Sequence, residues 1–374
     1  MHAQRPTWCD IDLSAITHNL ATLGDMVGPK VGVYVCVKGD ASGCGDIEVS
    51  RTAERAGAAG VAFGNLDLAM AARQAGVRLP ILLYPTCLPD TAPALEEHNL
   101  MPTLSTLEDV AAWSSHAKSL KVFLKLDGGG FRAGALPHQA PAVARAIADS
   151  NTLELAGAYG HPMASYGPVD PVYTDAQVNS CIDALKRVEA AGIDVPVRMV
   201  SSSAIILSHP DADLNAVDPG RLAIGQSFPA AAGRERVWRH ALVGLRSHLV
   251  MVKSLDDIGD VMPAPFLPRR PGMKIGLVPY GWSDGYPRKI PENATALLHG
   301  KRVRLLGPTH SEMLRVDLTD VPEAKLGDEV VFLGRQGNDE IGLEELAMQW
   351  KVGVSDLYGA IGKSVRRTYI RFSP

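Results

Sequence analysis

The sequence predicts an α/β protein: a (β/α)8 TIM-type barrel followed by a β-rich C-terminal domain. Three observations carry that prediction. Eight short apolar runs alternate with longer helical stretches over the first two-thirds of the chain. Most of the repeating units are about 20 to 35 residues long, and the total suits a barrel. After about residue 235 the texture changes to short β-type segments punctuated by glycine or charge. A doubly wound open sheet is the alternative for the first part and fits the count less well.

The eight runs are VGVYVCV (31–37), GVAFG (60–64), ILLYP (81–85), MPTL (101–104), KVFLKLD (121–127), LELAGAYG (153–160), VRMVSS (197–202) and LNAVD (214–218). Between them, stretches such as DLAMAARQAG and NSCIDALKRVEAAG place apolar residues three and four apart, the spacing of a helix face. The barrel is expected over residues 12–235 and the β-rich domain over 236–374, with residues 1–11 packing against the latter. In that second part ALVGLRSHLVMVKSL, KIGLVPYG, ATALLHGKRVRLLG, MLRVDLTDV and DEVVFLGRQG read as strands. EELAMQW and SDLYGAIG read as short helices before a final strand, RRTYIRF.

Composition narrows the function classes. Of 374 residues, 46% are hydrophobic and 21% charged, enough to bury a sizeable core. A formal charge of −4 leaves no basic footprint for nucleic acid. No apolar run approaches the roughly 20 residues of a membrane span, and MHAQRPTWCDIDL lacks the apolar core of a signal peptide. The five cysteines are scattered without CxxC spacing, which points to reduced thiols in the cytoplasm. No His, Cys or Asp cluster has metal-ligand spacing, so no metal is expected.

In a barrel, chemistry sits where strands end. The first strand runs into Lys38, whose amine can form an imine with an aldehyde when an apolar pocket lowers its pKa. A lysine reaching from a strand end to solvent is the plainer reading. Other strand ends are also chemical, however. The fifth leads to Lys125, Asp127 and Arg132, the sixth to His161, the seventh to Ser201, Ser202 and Ser203, and the eighth to Asp218, Gly220 and Arg221. Ser202, Ser203 and the Gly220–Arg221 backbone suit a phosphate, although serines before a helix are also ordinary caps. Phosphate donors together with an imine-forming lysine point to pyridoxal 5'-phosphate.

These motifs resemble those of the alanine racemase family, the type III fold of pyridoxal-phosphate enzymes. TWCDIDLSAITHN is similar to that family's W-x-E-I-D-L opening, and KGDASGCG to its K-A-D-A-Y-G-H-G. DGGGFRAG looks like D-T-G-M-G-R-L-G, DPGRLAIG like R-P-G-I-x-x-Y-G, and GWSDGYPR like G-Y-A-D-G-Y-P-R. The resemblance runs from about residue 7 to 370. It implies a head-to-tail homodimer whose active sites are shared, each completed by the partner's β domain. It implies that Lys38 carries the cofactor as an internal aldimine and acts as base on one face, and that Arg132 contacts the substrate carboxylate or the cofactor phenolate. Lys125 matches a lysine that is often carbamylated and orients that arginine. Ser203, Gly220 and Arg221 match the phosphate segment, and His161 the histidine that supports the catalytic tyrosine.

Departures from the family pattern fall on the chemistry. Trp282 stands where the family has its second base, a tyrosine, and an indole N–H only donates. Asp218 stands where the family has an arginine beside the pyridine nitrogen; a carboxylate there favours a protonated ring and a stronger electron sink. A local shift bringing Arg221 to that nitrogen is the alternative. Ser42 and Ser355 replace two phosphate-binding tyrosines. GPTHSE (307–312) replaces G-R-V-C-M-D, bringing His310 and Glu312 near the substrate, and His310 titrates in a range that suits a base. The resulting expectation is a racemase or epimerase acting at the Cα of a small-molecule amino acid, not a standard alanine racemase. The alternatives are a lyase, decarboxylase or aldolase using the same quinonoid chemistry with one base, or a noncatalytic cofactor-binding protein.

Overall fold

The computed structural model describes residues 5–163, 171–256, 258–262, 265, 267 and 269–371. The chain divides into two compact units, one spanning Ala15–Arg239 and the other combining the residues up to Ser14 with those from His240 onward. Strand β1 (Thr7–Asp12) belongs to the second unit. The first unit contains nine short parallel strands: β2 (Gly32–Cys36), β3 (Gly60–Phe63), β4 (Ile81–Leu83), β5 (Leu100–Met101), β6 (Thr103–Leu104), β7 (Leu120–Lys125), β8 (Leu153–Tyr159), β9 (Val197–Ser202) and β10 (Ala216–Asp218). Each coincides with an apolar run of the sequence.

Their order is β5-β4-β3-β2-β10-β9-β8-β7-β6, so the first and last barrel strands pair, Ala216 opposite Gly32. The two ends of the path, β5 and β6, are separated in the chain only by Pro102. They are the halves of one strand: β5 pairs with β4, and β6 pairs with β7. Proline has no N–H for the ladder, which is why the run MPTL divides there. Its carbonyl still accepts the Phe123 amide at 2.9 Å. The sheet is therefore a nearly closed parallel barrel.

Its interior is filled, as in barrels generally, by a layer of side chains from successive strands. Tyr34, Ala62, Leu82, Met101, Phe123, Tyr159, Met199 and Ala216 form one buried cluster around the barrel. Small residues make room for the rings. A Cβ on Gly60 would come within 2.4 Å of Tyr34, and one on Gly157 within 2.6 Å of Phe123. The two expected helices form over Leu66–Gln74 and Pro171–Ala190. The first is capped by Asn65, whose side chain accepts the Leu68 amide at 3.0 Å. The second buries Val178, Cys181, Leu185 and Val188 along one face.

In the second unit β1 lies between β11 (Leu242–His248), antiparallel, and β19 (Arg366–Ile370), parallel. The rest of this sheet comprises β12 (Met251–Ser254), β13 (Lys274–Val278), β14 (Thr295–Leu298), β15 (Lys301–Leu306), β16 (Leu314–Asp317) and β17 (Glu329–Gln336), with β18 (Asp339–Ile341) pairing with β17. Helices Leu343–Trp350 and Val354–Ala360 fall where short helices are expected. Among the described residues no helix is long and apolar enough to cross a membrane.

Candidate active site

Strand β2 ends at Cys36, and two residues later the chain turns sharply at Lys38. Gly39, Asp40, Ala41 and Ser42 all take left-handed backbone angles, with φ of 65°, 60°, 50° and 54°. Non-glycine residues adopt that conformation at a cost of about 1–2 kcal/mol each. An Asp40 carboxylate oxygen accepts the Asp46 amide at 3.1 Å and ties the turn to the following helix, Asp46–Arg55. The left-handed turn begins immediately after Lys38, which is exposed at the end of β2. Ser42, half-buried, closes the same turn.

Strand β10 ends on Asp218, which is 5% exposed. Its Oδ2 accepts the Tyr84 hydroxyl at 3.0 Å. Burial pushes the carboxyl up to about 6, opposed by the charge of Lys38, the Tyr84 hydrogen bond and the charges of Lys125 and Arg132. Tyr84 spans the mouth. Lys38 Nζ lies 5.4 Å from its ring centroid, and its ring stands 5.8 Å from that of Tyr159. Asp218 thus faces the mouth that Lys38 occupies, whereas Arg221, three residues on, lies 5.7 Å from the ring of Phe228.

Lys125 ends β7 and is 4% exposed. Its Nζ sits 4.0 Å over the Tyr159 ring with no hydrogen-bond acceptor among the described residues. Burial pushes this amine down to about 7, against the opposing charge of Asp218. A small cavity of about 20 Å³ lies beside it, lined by Asp127, Gly130, Arg132, His161 and Met163. That is room for a group no larger than a water or two. Asp127 fixes the loop by accepting the amides of Gly129 at 2.8 Å and Phe131 at 3.1 Å. Phe131 has φ 49°, unusual outside glycine, and directly precedes Arg132. His161 follows β8, and burial together with Lys125, Lys38 and Arg132 holds its ring well below the usual imidazole range. It is therefore neutral at physiological pH.

Ser202 precedes the short helix Ser203–Ser208 and makes no side-chain cap. Ser203 Oγ instead accepts the amides of Gly220 at 3.0 Å and Leu222 at 3.2 Å. The serine run and the segment after β10 therefore meet, as the phosphate reading requires. Gly220 packs closely on the end of β2: a Cβ there would approach Cys36 to 3.3 Å.

The remaining expected residues lie in the other unit. Trp282 opens a single turn whose carboxylate, Asp284, is held by both Arg5 guanidinium nitrogens at 2.6 and 2.7 Å and by Ser364 at 2.7 Å. The Trp282 amide donates to the His310 carbonyl at 3.1 Å, so these two positions are neighbours. The Arg288 guanidinium stacks 4.4 Å over the indole. His310 is exposed and Ser355 half-buried. Tyr280, close to Trp282 in sequence, is fully buried against Tyr286 and Phe332.

Sequence reasoning passed over Tyr84 and Cys36. Both end barrel strands or lie one residue past them, so the rule that singled out Lys38 applied to them equally. Cys36 lies beside Lys38, Tyr84 and Asp218, and burial pushes its thiol above the usual range.

The residues at this mouth fit pyridoxal phosphate by their donor chemistry. Lys38 offers an amine for an aldehyde, Asp218 a buried carboxylate for a basic ring nitrogen, and Ser203 a hydroxyl proton for a phosphate, its oxygen being held by the Gly220 and Leu222 amides.

Comparison with known proteins agrees with the fold. The family model of the alanine racemase N-terminal domain matches residues 11–227, and that of the alanine racemase C-terminal domain matches 244–369. The chain is 30% identical over 370 residues to an alanine racemase of Desulfovibrio desulfuricans, covering 98% of each. It is 28% identical to one of Methanococcus maripaludis, covering 98% of this chain and 99% of the relative. A solved alanine racemase of Bacillus anthracis, with L-Ala-P bound, superposes with a TM-score of 0.87 at 26% identity, covering 99% of this chain and 96% of that one. One from Clostridium difficile superposes at 0.86 and 24% identity, covering 99% and 97%, a likeness of fold. The chain belongs to the alanine racemase family, whose members are pyridoxal-phosphate-dependent isomerases.

Proposed function

We propose that this chain is a pyridoxal-phosphate-dependent amino-acid racemase or epimerase whose substrate is other than, or broader than, alanine. The observation that carries the reading is the mouth of the barrel, where Tyr84 hydrogen-bonds the buried Asp218 carboxylate and the Lys38 amine lies 5.4 Å from the centre of the Tyr84 ring. Lys38 holds the cofactor and moves the α-proton at Nζ on one face. The cofactor, when bound, supplies an electron sink for the bond to the substrate's α-hydrogen. Asp218, still ionised at neutral pH, serves the ring nitrogen in its protonated form. Ser42, Ser202, Ser203, Gly220, Arg221 and Ser355 hold the phosphate.

Arg132 takes the substrate carboxylate. Lys125 orients it, and the near-neutral pKa of this buried amine supports uptake of carbon dioxide as a carbamate, which would give Arg132 an anionic partner. His161, neutral, accepts or donates a hydrogen bond without adding charge. On the opposite face Trp282 forms a wall, because its N–H has no lone pair to take a proton. His310, whose backbone pairs with that of Trp282, is the base there. These last two come from the partner subunit of a head-to-tail homodimer, by likeness to the family. Among the described residues none of the five cysteines is bridged by a disulfide, in keeping with a reducing, cytoplasmic setting.

A second reading, a lyase, decarboxylase or aldolase, is favoured by the same Trp282 and Asp218, since such reactions manage with one base. The test is to reduce the cofactor-loaded protein with borohydride and locate the added mass. Attachment at Lys38, with visible absorbance lost in Lys38→Ala, supports the proposal. Attachment elsewhere, or absorbance unchanged in Lys38→Ala, overturns it.

A further inference from the structure

We propose that Tyr84 is the positioning residue of this site, acting through Asp218: its hydroxyl holds the carboxylate in one orientation and in its charged form. The inference rests on the assignment of Asp218 to the cofactor's ring nitrogen made above, and it adds a residue that neither the sequence motifs nor the family likeness singles out.

The geometry carries it. Tyr84 lies one residue beyond β4 and Asp218 ends β10, so the 3.0 Å bond joins residues 134 apart in the chain. Tyr84 has only one way to make this bond. Burial and the neighbouring Asp218 and Cys36 all disfavour its phenolate, so the hydroxyl keeps its proton and donates. The ring cannot swing away easily. It is half-buried, tilted against Tyr159 at 5.8 Å, and Tyr159 is itself anchored by Thr103 at 3.0 Å, whose hydroxyl donates to the Leu83 carbonyl at 2.8 Å.

The groups facing Asp218 fall into two classes. Lys38 and Arg132 act through charge, as does Lys125 when it holds its proton; Cys36, Tyr84 and Tyr159 are neutral. Of these, only Tyr84 is recorded donating a hydrogen bond to the carboxylate among the described residues. A charge at a distance favours ionisation without choosing an orientation. A directed hydrogen bond does both, which is what a carboxylate needs in order to serve a single ring atom.

Removing the hydroxyl alone tests this. Tyr84→Phe keeps the ring packing and deletes the donor. Hydrogen bonds to charged groups are strong enough that the midpoint of Asp218 should rise by about one pH unit. The full-length protein, stripped of cofactor and labelled with carboxyl-13C aspartate, gives the readout, with the Asp218 signal assigned by its absence in Asp218→Asn. Placing 3,5-difluorotyrosine at position 84, a stronger donor, should move the midpoint the other way. In the loaded protein the acid limb of the visible spectrum should follow the same two shifts. An Asp218 midpoint unmoved by both replacements overturns the proposal. A chain that takes up no chromophoric cofactor at all overturns the assignment of the ring nitrogen instead, and the carboxyl titration still decides whether Tyr84 controls Asp218.

Discussion

Replacing Lys125 by methionine removes a buried amine that the fold leaves without an acceptor, and the effect on stability should depend on pH in a defined direction. In the folded chain this amine titrates near 7, against 10.5 for the ordinary side chain, because burial penalises its charge. Between those values the unfolded chain holds a proton that the folded chain lacks. The folded state is therefore stabilised as pH rises through this window, by up to about 1.4 kcal/mol per pH unit, and the full penalty applies below it. Lys125→Met carries no such term and fills similar space with an apolar chain. Urea unfolding of both proteins in carbonate-free buffer from pH 7 to 9.5 is the assay, carbonate being excluded so that the amine is not converted to a carbamate. The variant should be the more stable at pH 7, and the wild type should gain on it by roughly 1 kcal/mol per unit above that. Parallel stability curves would refute the reasoning, because they would mean that Lys125 is as well solvated when folded as when unfolded.

Three further outcomes follow from named contacts. Trp282→Phe should lower kcat/KM less than about tenfold, since the indole has no base role to lose. His310→Ala should lower it by about 10²–10⁴, the range for a lost general base; equal losses in the two variants would sink the division of roles. Gly157→Ala should destabilise the barrel unit by about 1–3 kcal/mol in urea titrations, because the new Cβ must displace both Phe123 and the Val197 carbonyl. Wild-type stability in this variant would mean that the aromatic layer is not close-packed there.

Much of the barrel is legible in the sequence because its strands are buried on both faces and so read as continuous apolar runs. Lys38, Lys125 and Asp218 are legible for a related reason: polar groups that end such runs have few places to be except the barrel mouth. Tyr84 stands at a strand end too, but its chemistry does not announce a role. A tyrosine after ILL reads as the edge of a core strand, and its partner Asp218 lies 134 residues away. The left-handed turn after Lys38 is hidden as well. Gly39 and Gly43 hint at it, but nothing in the side chains of Asp40, Ala41 and Ser42 announces positive φ at all three. The packing of residues 1–11 with the C-terminal domain is expected from the sequence, but the pairing of strand β1 with β11 and β19, far along the chain, is not. MPTL reads as one run, and its division into β5 and β6 at Pro102 emerges only from the pairing.

The central claim is that Lys38 drives stereochemical exchange at the Cα of an amino acid, and its most direct test is isotope exchange. The cofactor-loaded protein would be incubated in D2O with L- and D-amino acids and both enantiomers analysed. Racemisation predicts α-deuterium in both enantiomers, abolished in Lys38→Ala. Release of carbon dioxide or an aldehyde without deuterated enantiomer would contradict the account and point to a lyase on the same scaffold.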